Sequence, residues 1–224
     1  MKGDGDGMLR RCAVMTCAGF LSGMILYSYF LPLILFHVDI REASADRNPG
    51  SSNVIRRLGL PLGLLCMALD VGKAFLPVFI AVSVMEMRGA YLVPVAVAPV
   101  AGHAFSPLLR FRGGKAVSAT YGALLGLAPV SCFVLVPALL MAFFRFVVVV
   151  RPDSAGVVTA MTATSLAALL WAPELWLKQS VILISGIVIF RELRRPDAGP
   201  RSVGVGRYRI QRRDHRFVVV KCEP

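Results

Sequence analysis

Four stretches of this chain carry almost no charge over lengths typical of membrane-crossing helices. Residues 12–36, 116–144 and 154–173 contain no Asp, Glu, Lys or Arg, and 58–84 contain only Asp70 and Lys73. A bilayer core about 30 Å thick is crossed by roughly 20 apolar residues in a helix. In hydrocarbon every backbone N–H and C=O must be satisfied within the protein, which a helix does by itself. With 56% hydrophobic residues and a mean hydropathy of +0.68, the sequence implies an all-α, polytopic integral membrane helix bundle and argues against a water-soluble domain. The first run is longer than a signal-peptide core and has no small-residue cleavage site, so it reads as a retained span.

The organisation expected along the chain is a disordered, glycine-rich tail over 1–8 ("MKGDGDGM"), a transmembrane domain over 9–190, and a basic cytoplasmic tail over 191–224. Within the domain a first helix runs to Phe36, and a polar loop follows to Arg57. A second helix covers 58–84. The apolar segment 91–101 is short and carries Pro94 and Pro99, so it either tilts and ends early or dips only part of the way. The run 116–150 is too long for one span, and Pro129 and Pro137 are its natural breaks into two helices. Helices over 154–171 and 175–190 complete about seven spans. That count places Arg41, Arg47, Arg56 and Arg57, the group Arg110, Arg112 and Lys115, and the arginine-rich tail all on the cytoplasmic side of the cell's inner (plasma) membrane. Trp171, Trp176 and Tyr91 read as interfacial anchors. The absence of an internal repeat argues against a transporter built from duplicated halves.

The formal charge of +12 is concentrated after Phe190, where ten Lys and Arg residues face Glu192, Asp197, Asp214 and Glu223. Such a tail suits anionic head groups. Nothing resembling a nucleic-acid motif accompanies it, so no nucleic-acid partner is expected. Its end, "GVGRYRIQRRDHRFVVV", fits a short strand or an amphipathic tail on the membrane surface. Cys12, Cys17, Cys66, Cys132 and Cys222 are scattered without metal-ligand spacing and read as small hydrophobes. No metal or cofactor is expected.

Two polar islands interrupt the apolar pattern. "DRNPGSSNVIRR" (46–57) supplies Asn48, Gly50, Ser51, Ser52, Asn53 and Arg56, and "GHAFSPLLRFRGGKAVS" (102–118) supplies His103, Arg112, Gly113, Gly114, Lys115 and Ser118. Sharing one side of the membrane, they can face each other across a cavity. Glycines that let backbone N–H groups approach an anion, followed by a lysine where a helix begins, suit phosphate. The spacing is not that of a Walker A loop. A basic, flexible loop obeying the charge bias is the plain alternative. Asp70 and Lys73, three apart on one helical face, are either part of the site or a structural ion pair that locks helix packing. His103 is either catalytic or a loop histidine capping backbone groups.

"NPGSSNVIR", then "DVGK", then "GHAFSPLLRFRGGKAV" resemble, in order and spacing, the bacterial acyl-phosphate:glycerol-3-phosphate acyltransferase family. That resemblance implies transfer of a fatty acyl group from acyl phosphate to the 1-hydroxyl of glycerol 3-phosphate, giving lysophosphatidic acid in phospholipid biosynthesis. It implies Lys115, His103 and Arg56 as catalytic groups. Asn48, Gly50, Ser51, Ser52, Asn53, Arg112, Gly113, Gly114 and Ser118 would bind substrate, with Asp70 and Lys73 as a supporting pair. The implied partners are glycerol 3-phosphate, acyl phosphate and the lipid bilayer. Asp46 stands where the family has serine, and Ser51-Ser52 replaces its alanine-threonine. Ala116 replaces a glycine after the lysine. In the third motif, "FRELRRPD", Phe190 and Leu193 stand at the histidine and asparagine positions, while Arg191 and Arg195 keep the basic character. These departures define the alternative: a catalytically inactive relative that binds or transports an anionic lipid or phosphate ester.

Overall fold

The computed structural model of the protein describes residues 2–194, 202–205, 208–213 and 216–221. Arg195, His215 and Cys222 lie outside them. The described chain is mostly helical, with a small antiparallel sheet that corrects the all-α expectation.

Helix α1 (Lys2–Gly23) begins at Lys2, so residues 2–8 of the expected disordered tail are helical instead. Extending a helix that a long apolar run has already nucleated costs far less than starting one. The expected single helix to Phe36 is broken: α2 (Tyr27–Phe36) follows α1 after a short gap, at a bend of 40°. A short α3 (Ser51–Leu58) leads through Gly59 into α4 (Leu60–Ser83), whose first turn carries a proline, a residue that needs no N–H partner there. Segment 91–101 is part of a longer apolar unit, Gly89–Leu109, with α5 (Leu92–Ala104) at its centre. His103 therefore sits on a helix and not in a loop. Next come α6 (Val117–Gly126) and α7 (Leu135–Ala142), separated around Pro129 as expected. Pro137 lies in the first turn of α7 and breaks nothing, because a proline there forfeits no intrahelical bond. The π-helical turn Phe143–Val147 ends in a strand, β1 (Val148–Arg151), where helix had been expected to Val150.

Helices α8 (Asp153–Trp171) and α9 (Leu175–Arg194) close the bundle, and α9 runs past the expected boundary at 190. Strands β2 (Ser202–Val205), β3 (Tyr208–Arg213) and β4 (Arg216–Lys221) add to β1 in the order β1-β2-β3-β4, all antiparallel. Among the described residues, Leu60–Ser83, Gly89–Leu109 and Asp153–Trp171 are long and apolar enough to cross a membrane, and the bent α1–α2 pair is a fourth candidate.

Helices α1 and α5 pack together, as do α4 and α6, α8 and α9, and α5 and α9. Small residues bring these backbones close: a Cβ on Gly102 would lie 2.3 Å from Phe20 O, and one on Gly122 would lie 2.1 Å from Val71 O. This is the way helices pack when lipid supplies no hydrophobic drive between them. The interior is accordingly rich in alanine and valine, with Trp176 only 7% exposed. Trp176 is thus a core residue and not the expected anchor, while Trp171 is 71% exposed.

The break between α1 and α2 leaves backbone groups that a continuous helix would have satisfied. Asp70 and Lys73 of α4 supply the partners. Asp70 accepts hydrogen bonds from the N–H groups of Tyr27 (3.1 Å) and Ser28 (3.3 Å) and from Ser28 Oγ (2.5 Å), so it caps α2 from another helix. Lys73 donates to Ile25 O and pairs with Asp70 at 2.7 Å. Ser106 Oγ donates to Met24 O at 2.6 Å. Both charged side chains are buried, 1% and 7% exposed, so removing either one strands its partner in a low-dielectric interior. Asp70→Asn and Lys73→Met should each lower the unfolding free energy by about 3–5 kcal/mol, measured by denaturant titration in detergent micelles. A change below about 1 kcal/mol for both would show that the pair does not hold the break.

Candidate active site

The loop after α5 folds back on the end of that helix. Arg110 (φ +53°) and Phe111 (φ +59°) turn the chain through the left-handed region, and Gly114 N–H then donates to His103 O at 3.1 Å. A Cβ on Gly113 would lie 2.0 Å from that oxygen, and one on Gly114 would lie 2.3 Å from His103 Nε2. The two glycines are therefore needed for close approach to α5. From the opposite side Arg191, in the last turn of α9, donates through Nη2 to Gly113 O (2.5 Å) and through Nε to Gly114 O (3.2 Å). Between these two holds the loop is fixed, and Lys115 leaves it at the start of α6.

Lys115 Nζ lies 2.9 Å from Glu192 Oε2 and 3.2 Å from Asp46 Oδ2. Asp46 ties the other island together: its Oδ1 accepts from Asn48 N–H (3.1 Å) and Asn53 Nδ2 (2.9 Å). Arg56, one turn beyond Asn53 on α3, donates to Asn53 Oδ1 at 3.1 Å and reaches Asp153 Oδ2 at 3.4 Å. Burial pushes the Asp46 carboxyl up, but the Asn53 and Asn48 hydrogen bonds and the Lys115 ammonium outweigh it and hold Asp46 below the usual carboxylate range. Its pairing therefore contributes stability that is fully present above the unfolded-state value of about 3.9 and is lost as pH falls through the lower folded value.

Both islands open on one cavity of about 450 Å³. Of the expected site residues, Lys115, His103, Arg56, Asn48, Gly50, Ser51, Ser52, Asn53, Ser118 and Asp70 line it, while Arg112, Gly113, Gly114 and Lys73 do not. His103 is 4% exposed, and its Nδ1 has no hydrogen-bond partner and lies 4.0 Å from Asp70 Oδ1. The other wall is apolar or aromatic, with Met67, Val71, Tyr121, Met141, Phe144 and Val157. An amphiphile fits such a space, with an anion at the islands and a chain along the apolar wall. Among the described residues, no group of three or more His, Cys, Asp and Glu side chains is placed to hold a metal ion.

The sequence matches the family described as glycerol-3-phosphate acyltransferase over residues 13–195. The chain belongs to this family. The glycerol-3-phosphate acyltransferase of Leptospira borgpetersenii serovar Hardjo-bovis (strain JB197) is 35% identical over 138 residues, 60% of this chain and 63% of that protein, so the match spans a little under two thirds of that relative. The glycerol-3-phosphate acyltransferase of Solidesulfovibrio magneticus is 35% identical over 175 residues, covering 77% of this chain and 83% of that protein. The crystal structure of PlsY, an integral membrane glycerol 3-phosphate acyltransferase, in its glycerol 3-phosphate form superposes with a TM-score of 0.70 at 26% identity, over 82% of this chain and 88% of that one. Its lysophosphatidic acid form gives a TM-score of 0.68.

Against the acyltransferase pattern, the cavity adds groups that spacing alone had left out. Asp46, Glu192, Asp153, Arg145 and Tyr121 all line it. Asp46 and Glu192 carried a signal, since a carboxylate stands in each of two altered motifs. Asp153, Arg145 and Tyr121 carried none, because they come from segments without a motif. Ala116, where the acyltransferase motif has glycine, caps α6 in the left-handed region at φ +64° and is 1% exposed. That conformation costs a non-glycine residue about 1–2 kcal/mol, part of which a glycine gives back as lost backbone freedom. Ala116→Gly should therefore raise thermal stability by up to about 1 kcal/mol, while Gly113→Ala should lower it, because the added methyl meets a backbone oxygen. Unfolding curves of the two variants in one detergent check both signs.

Proposed function

We propose that the protein transfers a fatty acyl group from acyl phosphate to the 1-hydroxyl of glycerol 3-phosphate, releasing phosphate and lysophosphatidic acid. The observation that supports this most is the convergence of Arg56 and Lys115, from islands far apart in the chain, on one cavity with an apolar wall, in a member of the glycerol-3-phosphate acyltransferase family.

In this reading Arg56, with Asn48, Asn53 and the first-turn N–H groups of Ser51 and Ser52, binds one phosphate. Those N–H groups have no intrahelical acceptor and carry the positive end of the helix dipole. Lys115 and Ser118, at the start of α6, bind the second and offset charge growing on the acyl phosphate. Gly50, Gly113 and Gly114 serve by shape, and Arg112, exposed and outside the cavity lining, adds positive potential from the same loop. His103 orients the acceptor hydroxyl from the cavity floor. That hydroxyl oxygen attacks the acyl carbonyl, the bond to the bridging phosphate oxygen breaks, and the departing phosphate takes the hydroxyl proton. An acyl phosphate is already activated, so holding two phosphates and aligning the hydroxyl supply most of what is needed.

The same reading places the protein in the inner (plasma) membrane with about seven spans, α6 and the segment Cys132–Val147 being two of them, and the islands facing the cytoplasm. It needs no cofactor and no nucleic acid. The 1–8, 9–190 and 191–224 division is kept only as a functional one, since α9 crosses its second boundary.

One observation favours a second reading, in which the protein binds or moves a phosphate ester without turnover. Lys115 meets Asp46 and Glu192, Arg56 meets Asp153, and Arg145 meets Asp153 at 3.3 Å, so an incoming phosphate must compete with carboxylates already in place. Purified protein supplied with acyl phosphates of several chain lengths and labelled glycerol 3-phosphate separates the two. Labelled lysophosphatidic acid is expected, with Lys115→Ala and Arg56→Ala each lowering kcat/KM by about 10²–10³-fold. Binding without product at every chain length overturns the enzyme reading in favour of the second. Asp46→Asn keeps the island's shape but removes the competing charge at Lys115. It should lower KM for acyl phosphate, whose phosphate Lys115 holds in this reading, by about 2- to 5-fold, the scale of a partly exposed ion pair, as read from initial rates.

A further inference from the structure

The C-terminal sheet is turned inside out relative to a sheet that faces water. In an antiparallel sheet on a soluble domain the apolar side packs inward and the polar side meets solvent. Here β2 does the opposite: Ser202 (7% exposed) and Gly204 are buried, whereas Val203 and Val205 are 47% and 58% exposed. The register sets these positions beside apolar residues of the neighbouring strands, of which Val148 and Val150 are half-buried. Val203 pairs with Val150 of β1 and with Ile210 of β3, which is 49% exposed, and Val205 pairs with Val148. Ile210 pairs in turn with Val219 of β4. The patch continues into the turn that feeds β1, where Phe146 is 78% and Val147 47% exposed. That turn ends the apolar helical segment Cys132–Val147. The sheet thus hangs from the end of a membrane-directed segment, beside a cavity that Val149 and Val150 help to line.

Charge decides what covers this face. Residues 201–221 hold Arg201, Arg207, Arg209, Arg212, Arg213, Arg216 and Lys221 against Asp214 alone. A second copy of the same basic sheet is repelled, whereas an anionic leaflet is attracted, at roughly 1 kcal/mol per Lys or Arg near the surface. Apolar area and basic charge together are the two signals that hold a segment at a membrane interface. Strands β2, β3 and β4 lie beyond the residues matched to the acyltransferase family, which end at 195, while β1 lies within them.

We infer that the four-stranded sheet is an interfacial membrane-docking element that lays its Val203, Val205 and Ile210 face on an anionic lipid leaflet next to the cavity mouth. The inference does not depend on the reaction. It is tested with the full chain carrying p-benzoylphenylalanine in place of Val205 or, separately, of Ile210, reconstituted in vesicles of phosphatidylcholine with or without phosphatidylglycerol and irradiated. Helical circular dichroism confirms that each variant is folded, and two positions guard against the failure of one. The expected result is a lipid adduct at both positions, increased several-fold by phosphatidylglycerol and reduced in about 1 M salt, where charges are screened beyond about 3 Å. Adducts to a second copy of the chain, adducts to neither lipid nor protein, or lipid adducts indifferent to phosphatidylglycerol and salt would each overturn it.

Discussion

The buried pair Asp70–Lys73 makes the rest of this architecture possible. A span broken between Gly23 and Tyr27 exposes backbone groups that hydrocarbon cannot satisfy, and each one left without a partner costs several kcal/mol. Asp70 meets the N–H groups that open α2, and Lys73 meets Ile25 O in the gap. Each charge in turn compensates the other, so the interior holds a neutral, fully engaged pair. The break lets α2 leave the line of α1, and α4 thereby carries both the repair of that break and, through Asp70, part of the cavity wall. A feature that reads in sequence as two costly charges in a helix is a substitute for missing helical hydrogen bonds.

The site is built by a similar exchange of partners between distant segments. The loop carrying Lys115 is held by His103 O on one side and by Arg191 on the other, and Lys115 itself is flanked by carboxylates from 46 and 192. The altered third motif therefore still contacts the lysine loop, through different residues. Phe190 and Leu193 have lost the polar character of the family pattern, while Arg191 braces the lysine loop and Glu192 pairs with its lysine. Asp46, in the place of a family serine, adds a second carboxylate at the same ammonium group. The lysine is thus held in place by carboxylates from two distant segments.

How much of this was legible in the chain differs by segment. Apolar runs without charge revealed a helical membrane bundle because the bilayer imposes a minimum length on any helix that crosses it. The break at Pro129 was visible because proline removes a donor. The break at Gly23 was not, since glycine is common in membrane helices and the stabilising partners lie on α4. The polar residues after His103 mask the end of α5, so in sequence it falls within a polar island and not on a helix. A tryptophan near a helix end usually marks an anchor, but α9 turns Trp176 inward.

By itself the sequence determined the helical membrane character, the two polar islands and the family to which they belong, because each rests on local composition and residue order. Only the tertiary structure decided that Arg56 and Lys115 share one cavity, that Asp46 and Glu192 hold the lysine, and that β2 pairs with β1 while Val203 and Val205 face outward. Those are pairings between segments distant along the chain. No local periodicity encodes them, since they form only where helix packing and strand register bring charges, backbone groups and side-chain faces to within a few ångströms of one another.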